Sequence, residues 1–201
     1  MSSHTAVAAA TPDRRFDLDR YLLRRRIMKV VGAAFDITDE QGQPLFYSEL
    51  KAFKLKEDIR VYADQSKAEE LLVIQARQII DFSAAYDVTD PVSGEKVGVL
   101  KRRGAKSIIR DEWVVLDRND VEIGVLREDS LGLALVRRFL TNLVPQHYEL
   151  ALAGAPAASF KGNFNPFVYR LDIQLVRGAG LDPRLAVACA ILLGAIEGKQ
   201  G

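Results

Sequence analysis

Between Arg184 and Glu197 the chain runs LAVACAILLGAI, twelve residues without one polar side chain. Asp182 supplies an N-cap, Pro183 suits the first helical position and Gly198 can end the segment, so the stretch predicts a helix. A helix with no polar stripe must be enclosed on every side. Twelve residues at 1.5 Å each span about 18 Å, whereas a bilayer core of about 30 Å needs about twenty residues. The run therefore reads as a core helix wrapped by protein. Many of its side chains are small (Ala186, Ala188, Ala190, Gly194 and Ala195), which lets the enclosing walls come close.

The wall is announced by a repeat. FDITD (Phe35–Asp39), RVYAD (Arg60–Asp64), YDVTD (Tyr86–Asp90) and WVVLD (Trp113–Asp117) end on aspartates 25, 26 and 27 residues apart. Phe35 and Ile37 alternate with Asp36 and Thr38, and Tyr86 and Val88 with Asp87 and Thr89, the period of a half-buried strand. The second copy runs one residue out of phase, with Ile59, Val61 and Ala63 apolar. Turn formers follow each aspartate in the EQGQP, PVSG and RND stretches, and then a return strand begins: PLFYSEL, ELLVIQA, KVGVLKR and EIGVLRE. Each unit predicts a β-hairpin of about 25 residues.

A fifth hairpin fits residues 147–164. Before it, residues 130–144 space Leu133, Val136, Leu140 and Leu143 as in one short amphipathic helix, stopped by Pro145. One strand precedes the hairpins (YLLRRRIMKVV) and one follows them (PFVYRLDIQLV). The fold class is therefore mainly β: a closed antiparallel barrel of about twelve strands around the apolar C-terminal helix. Closure removes the edges of so large a sheet, and a barrel this wide needs more than its own side chains to fill it.

In the order of these parts the chain resembles the tubby C-terminal-like superfamily, most nearly its LURP-one-related and phospholipid-scramblase-like branch. The resemblance is carried by FDITDEQGQPLFYSELKAFKLKEDIRVYAD, YDVTDPVSGEKVGVLKRR, WVVLDRNDVEIGVLRED, NPFVYRLDIQL and AVACAILLGAIEG, from about Tyr21 to Gly198. It implies the barrel threaded by a helix. For function it implies less: tubby domains bind phosphoinositides through basic surface residues, and scramblase-like members are linked to Ca²⁺ and lipid movement. No binding residue of tubby domains matches one-for-one.

Residues 1–15 are small, polar and Ala-rich and read as a disordered tail, with residues 16–201 as one barrel domain. The N-terminus has no basic stretch ahead of an apolar one, so it does not read as a secretion signal, and the expected compartment is the cytoplasm. With a net charge of +1, bulk electrostatics select no partner, and any attraction for an anion must come from local clustering.

Catalytic chemistry finds little support. Cys189 is the one cysteine, and the two histidines, His4 and His147, have no cysteine partner for zinc. Only His147 could serve a Ser–His–Asp arrangement. GVLKRRGAKS has the wrong spacing for a phosphate loop. Asp36, Asp39 and Glu40 offer a weak set of oxygens for Ca²⁺, but their spacing is not that of an EF-hand. No cofactor and no catalytic residue is expected.

The functional lead is basic. Arg24, Arg25, Arg26 and Lys29 form one cluster; Lys101, Arg102, Arg103, Lys106 and Arg110 form another with no acid among them. Such patches attract anionic phospholipid headgroups, and arginine pairs with phosphate through its planar fork. The plainer reading of the same clusters is a solvated strand face protected from aggregation. The expectation is a non-catalytic module that touches anionic phospholipid peripherally. The alternatives are a structural or adaptor protein with a protein partner, or a scramblase-like lipid mover. No stacking aromatics interleave the basic runs, so nucleic acid is not an expected partner.

Overall fold

The computed structural model describes residues 13–28, 32–50, 58–77, 84–103, 112–128, 147–163 and 168–197. The helix expected over 130–144 lies outside them, as do residues 1–12 of the expected tail. Asp13 caps a short 3-10 turn, Arg14–Phe16, through a 2.9 Å bond from the Arg15 amide.

Twelve strands follow in chain order: β1 (Arg20–Met28), β2 (Gly32–Thr38), β3 (Pro44–Leu50), β4 (Ile59–Tyr62), β5 (Glu70–Ala76) and β6 (Ala85–Thr89). They continue with β7 (Lys96–Arg102), β8 (Glu112–Leu116), β9 (Glu122–Glu128), β10 (His147–Leu152), β11 (Ala155–Gly162) and β12 (Arg170–Leu175). Every strand pairs antiparallel with its chain neighbour, and β1 pairs with β12 to close the barrel. A single helix, α1 (Pro183–Glu197), completes the described chain.

The repeat explains the wall. In each of the first four hairpins the closing aspartate uses one carboxylate oxygen to accept amides of the turn that follows. Asp39 accepts from Gln41 and Gln43 at 2.9 and 2.8 Å, and Asp64 from Ser66 at 2.7 Å. Asp90 accepts from Val92 at 2.8 Å and Ser93 at 3.2 Å, and Asp117 from Asn119 and Val121 at 2.8 and 2.9 Å. A turn amide that would otherwise lose its partner is thus satisfied locally. Just before each aspartate the register slips, at Ile37/Thr38, Val61/Tyr62, Val88/Thr89 and Val115/Leu116. The fifth hairpin slips likewise at Leu150/Ala151. Bulges of this kind raise local twist and bend a strand, as a closing sheet requires.

All five hairpin turns lie at one end of the barrel, here the turn end; the connections between hairpins lie at the other, the linking end. The helix enters from the turn end. Asp182 accepts the Arg184 amide at 2.9 Å as its N-cap, and Arg184 reaches Asp182 at 2.7 Å and Asp90 of a neighbouring turn at 3.4 Å.

Leu185 to Ala195 are buried without exception. Around them stand the inward residues of the strands, among them Tyr21, Leu23, Phe35, Ile37, Val61, Leu72, Ile74, Leu100, Leu126, Phe160 and Ile173, each no more than 1% exposed. Two glycines set how near helix and wall approach. A Cβ on Gly98 of β7 would lie 2.6 Å from the Leu116 carbonyl oxygen and 3.1 Å from Leu185 Cδ1; one on Gly194 would lie 2.9 Å from Phe35 Cε1. No helix among the described residues is long and apolar enough to cross a membrane. The outer wall carries ion pairs while the lumen is apolar, the reverse of a membrane-spanning barrel.

Candidate functional site

The outer face of the barrel is a lattice of charge pairs between neighbouring strands. Arg26 holds Asp36 at 2.6 Å, and Arg20 holds both Asp172 and Glu40 at 2.6 Å. Arg77 bridges Asp87 at 2.7 Å and Asp120 at 2.6 Å, with Lys96 on Asp120 at 2.8 Å. Glu112 is shared by Arg127, at 2.7 Å, and Arg103. The Arg127 hydrogen bond holds the Glu112 carboxyl below the usual carboxylate range, with the charges of Arg127 and Arg103 adding to it.

Against this background, the cations without an ion pair stand out. Among the described residues they are Arg14, Arg24, Lys101, Lys161 and Arg170. All five side chains are exposed. Apart from Arg14, which precedes β1 at the turn end, Lys101, Lys161 and Arg170 lie toward the linking end, and Arg24, midway along β1, stands opposite Arg170.

Three of these four come together. Arg24 on β1 stands directly opposite Arg170 on β12, and Lys161 on β11 stands opposite Asp172, two residues along β12 from Arg170. The alternation of buried and open residues puts all three on the outer face. They line a cleft of about 590 Å³ whose other walls include Leu22, Asp36, Thr38 and Asp172. Asn163, just beyond β11, fixes the start of β12: its Oδ1 accepts the Arg170 amide at 2.8 Å and its Nδ2 donates to the Val168 carbonyl at 2.9 Å. The two carboxylates in the cleft are engaged by Arg26 and Arg20, so the remaining charge of the cleft is positive.

The sequence matches the LURP-one-related family over residues 20–194. This chain belongs to that family. The family is part of the tubby C-terminal-like superfamily, in agreement with the resemblance read from the repeat and the helix. No curated protein and no solved structure matches the chain. The matched span begins with β1 and ends inside α1, so it contains the whole LURP-one-related barrel, the cleft included.

The structure redistributes the basic residues picked out in the sequence. Strand β1 lies six places from β7 in a ring of twelve, so the two basic clusters occupy opposite walls of the LURP-one-related barrel rather than one patch. Arg25 follows Tyr21 and Leu23 on the inward face of β1 and is half-buried; burial pulls its guanidinium below the usual arginine range, opposed by Tyr169. Arg102 follows Gly98 and Leu100 inward, near Tyr86, whose hydroxyl burial pushes up against the opposing charge of Arg102. Arg26 and Arg103 are engaged by carboxylates, which leaves Arg24 and Lys101 open. Lys29, Lys106 and Arg110 lie outside the described residues.

The weak Ca²⁺ set is likewise distributed among other tasks. Asp36 holds Arg26, Asp39 shapes its turn and Glu40 meets Arg20. No group of three or more His, Cys, Asp or Glu that could hold a metal occurs among the described residues. His147 stands 3.4 Å from Glu149.

Lys161 and Arg170 were not singled out by local sequence. Each is a lone cation in its own strand, and only the pairing of the last strands with the first brings them beside Arg24.

Proposed function

We propose that this LURP-one-related barrel is a non-catalytic module that docks peripherally on membranes by binding anionic phospholipid headgroups. One observation supports the reading above all. The lattice of ion pairs neutralises most of the outer wall, yet Lys101, Lys161 and Arg170 stay open toward the linking end, with Arg24 open beside Arg170. A barrel presenting that end to an anionic surface brings all four charges close to it, each worth about 1 kcal/mol near the headgroups. Flat contact of one wall could not engage both β1 and β7.

Sedimentation of the full chain with phosphatidylserine vesicles at low and high salt tests the proposal. Binding at low salt, weakened by salt and lost in R24E/K101E/K161E/R170E with the melting temperature kept, is the expected result. A wild-type chain that stays in the supernatant at low salt overturns it.

A further inference from the structure

We infer that the cleft between β1, β2, β11 and β12 is a discrete site for a phosphate monoester, held by Arg24, Lys161 and Arg170. This goes beyond diffuse attraction to a membrane, since it needs no membrane at all.

The register carries the argument. Arg24 and Arg170 face each other directly across an antiparallel pair with neither in an ion pair; Asp36, opposite Arg24 on β2, is held by Arg26 instead. Like charges placed so are destabilising, and elsewhere on this wall each arginine on one strand finds a carboxylate on the next. Lys161 sits diagonally from Arg170, within reach of a long side chain. A single dianion between the three would turn the repulsion into three charge-assisted contacts, two of them with the planar forks that match phosphate oxygens. A monoester carries about −1.5 to −2 charges at neutral pH, so three cations favour it over a singly charged phosphodiester or carboxylate.

The rest of the cleft fits an organic ester better than bare phosphate. Half-buried Leu22 offers an apolar surface beside the charges, and Thr38, Asp36 and Asp172 offer oxygens to polar substituents. The two carboxylates do not cancel the site, because Arg26 and Arg20 hold them at 2.6 Å from the flanks. Asn163 fixes the backbone at Arg170, so the site exists before the ligand arrives.

Titration calorimetry of the full chain with phenyl phosphate tests this directly. Saturable binding of one ligand per chain is expected, weakened about tenfold or more in R24Q/R170Q and in K161Q. The opposite-wall variant K101Q should stay within about twofold of wild type. Without ligand, R24Q/R170Q should melt at or above the wild-type temperature, and phenyl phosphate should raise the melting temperature of wild type alone. Absence of saturation at about 10 mM ligand, or equal weakening by K101Q, overturns the site. Vesicles separate the two sources of such a group. If phenyl phosphate releases the chain from phosphatidic acid vesicles, the ester is a lipid headgroup; if it binds and does not compete, the ester is soluble. Membrane docking can fail while phenyl phosphate still binds, and the reverse, so the two proposals fall separately.

Discussion

Gly194 of α1 lies against the ring of Phe35 on β2 so closely that a Cβ added to it would stand 2.9 Å from Phe35 Cε1. Phe35 is fully buried and its ring cannot swing into solvent. Replacing Gly194 by valine should therefore lower stability by about 1–3 kcal/mol, the usual cost of overpacking a tight core. Part of the loss should return in G194V/F35A, since the two residues share one space. Denaturant unfolding followed by the fluorescence of buried Trp113 reads both effects. Additive losses would mean that the helix has room elsewhere.

Leu192 stands at the middle of the enclosed helix and is 1% exposed. Truncation to alanine leaves a cavity and should cost about 2–5 kcal/mol. Aspartate at the same position would place an unpaired carboxylate among apolar side chains, with no water to solvate it. L192D should fail to fold, while L192A folds with a lower denaturation midpoint. A fully folded L192D would mean that sheet does not enclose this helix.

The helix and the wall were both legible because their signals are local. An apolar run bounded by a cap can be read in fifteen residues, and an aspartate closing an alternating strand can be read in five. Arg25 was expected in the surface cluster, yet it continues the alternation of Tyr21 and Leu23 and turns inward, a local signal that the basic run obscured. The cleft was not legible. Arg24 and Arg170 are far apart in sequence and meet only because the first strand closes on the last. Composition could not show which cations stay open either. Arg103, just beyond β7, is engaged because Glu112 and Glu122 lie on the following strands, whereas Lys101 on β7 faces Ala85 and Val114.

Cys189 lies within the helix, 2% exposed, and burial pushes its thiol up to about 12. The thiolate is the reactive form, so this cysteine should be inert in the folded chain. A chromogenic disulfide reagent should label it only at the rate of global unfolding, and at once in denaturant. Rapid labelling under native conditions would place the thiol outside the closed wall.

Acid should destabilise the barrel, and the sign follows from the carboxylates held low. Hydrogen bonding from Arg127 lowers Glu112; Lys96, then Arg77, lower Asp120; the Val121 amide, with Asn119, lowers Asp117; and Ser66 lowers Asp64. Each binds a proton more readily in the unfolded chain. Their contribution is therefore fully present above about pH 5 and is lost as pH falls below about 4, through the folded values. Melting temperature should be level from neutral pH to about 5 and then fall. E112Q removes one of these groups, so its curve should start lower and fall less steeply. Because Arg103 and Arg127 meet at Glu112, the same variant frees Arg127 on β9 and leaves Arg103 to Glu122 alone. If open cations there suffice for docking, E112Q should bind phosphatidylserine vesicles more tightly than wild type. It should leave phenyl phosphate binding unchanged, since the cleft lies across the barrel from Glu112. Tighter phenyl phosphate binding in E112Q would mean that overall charge, rather than the arrangement around Arg24 and Arg170, holds the anion.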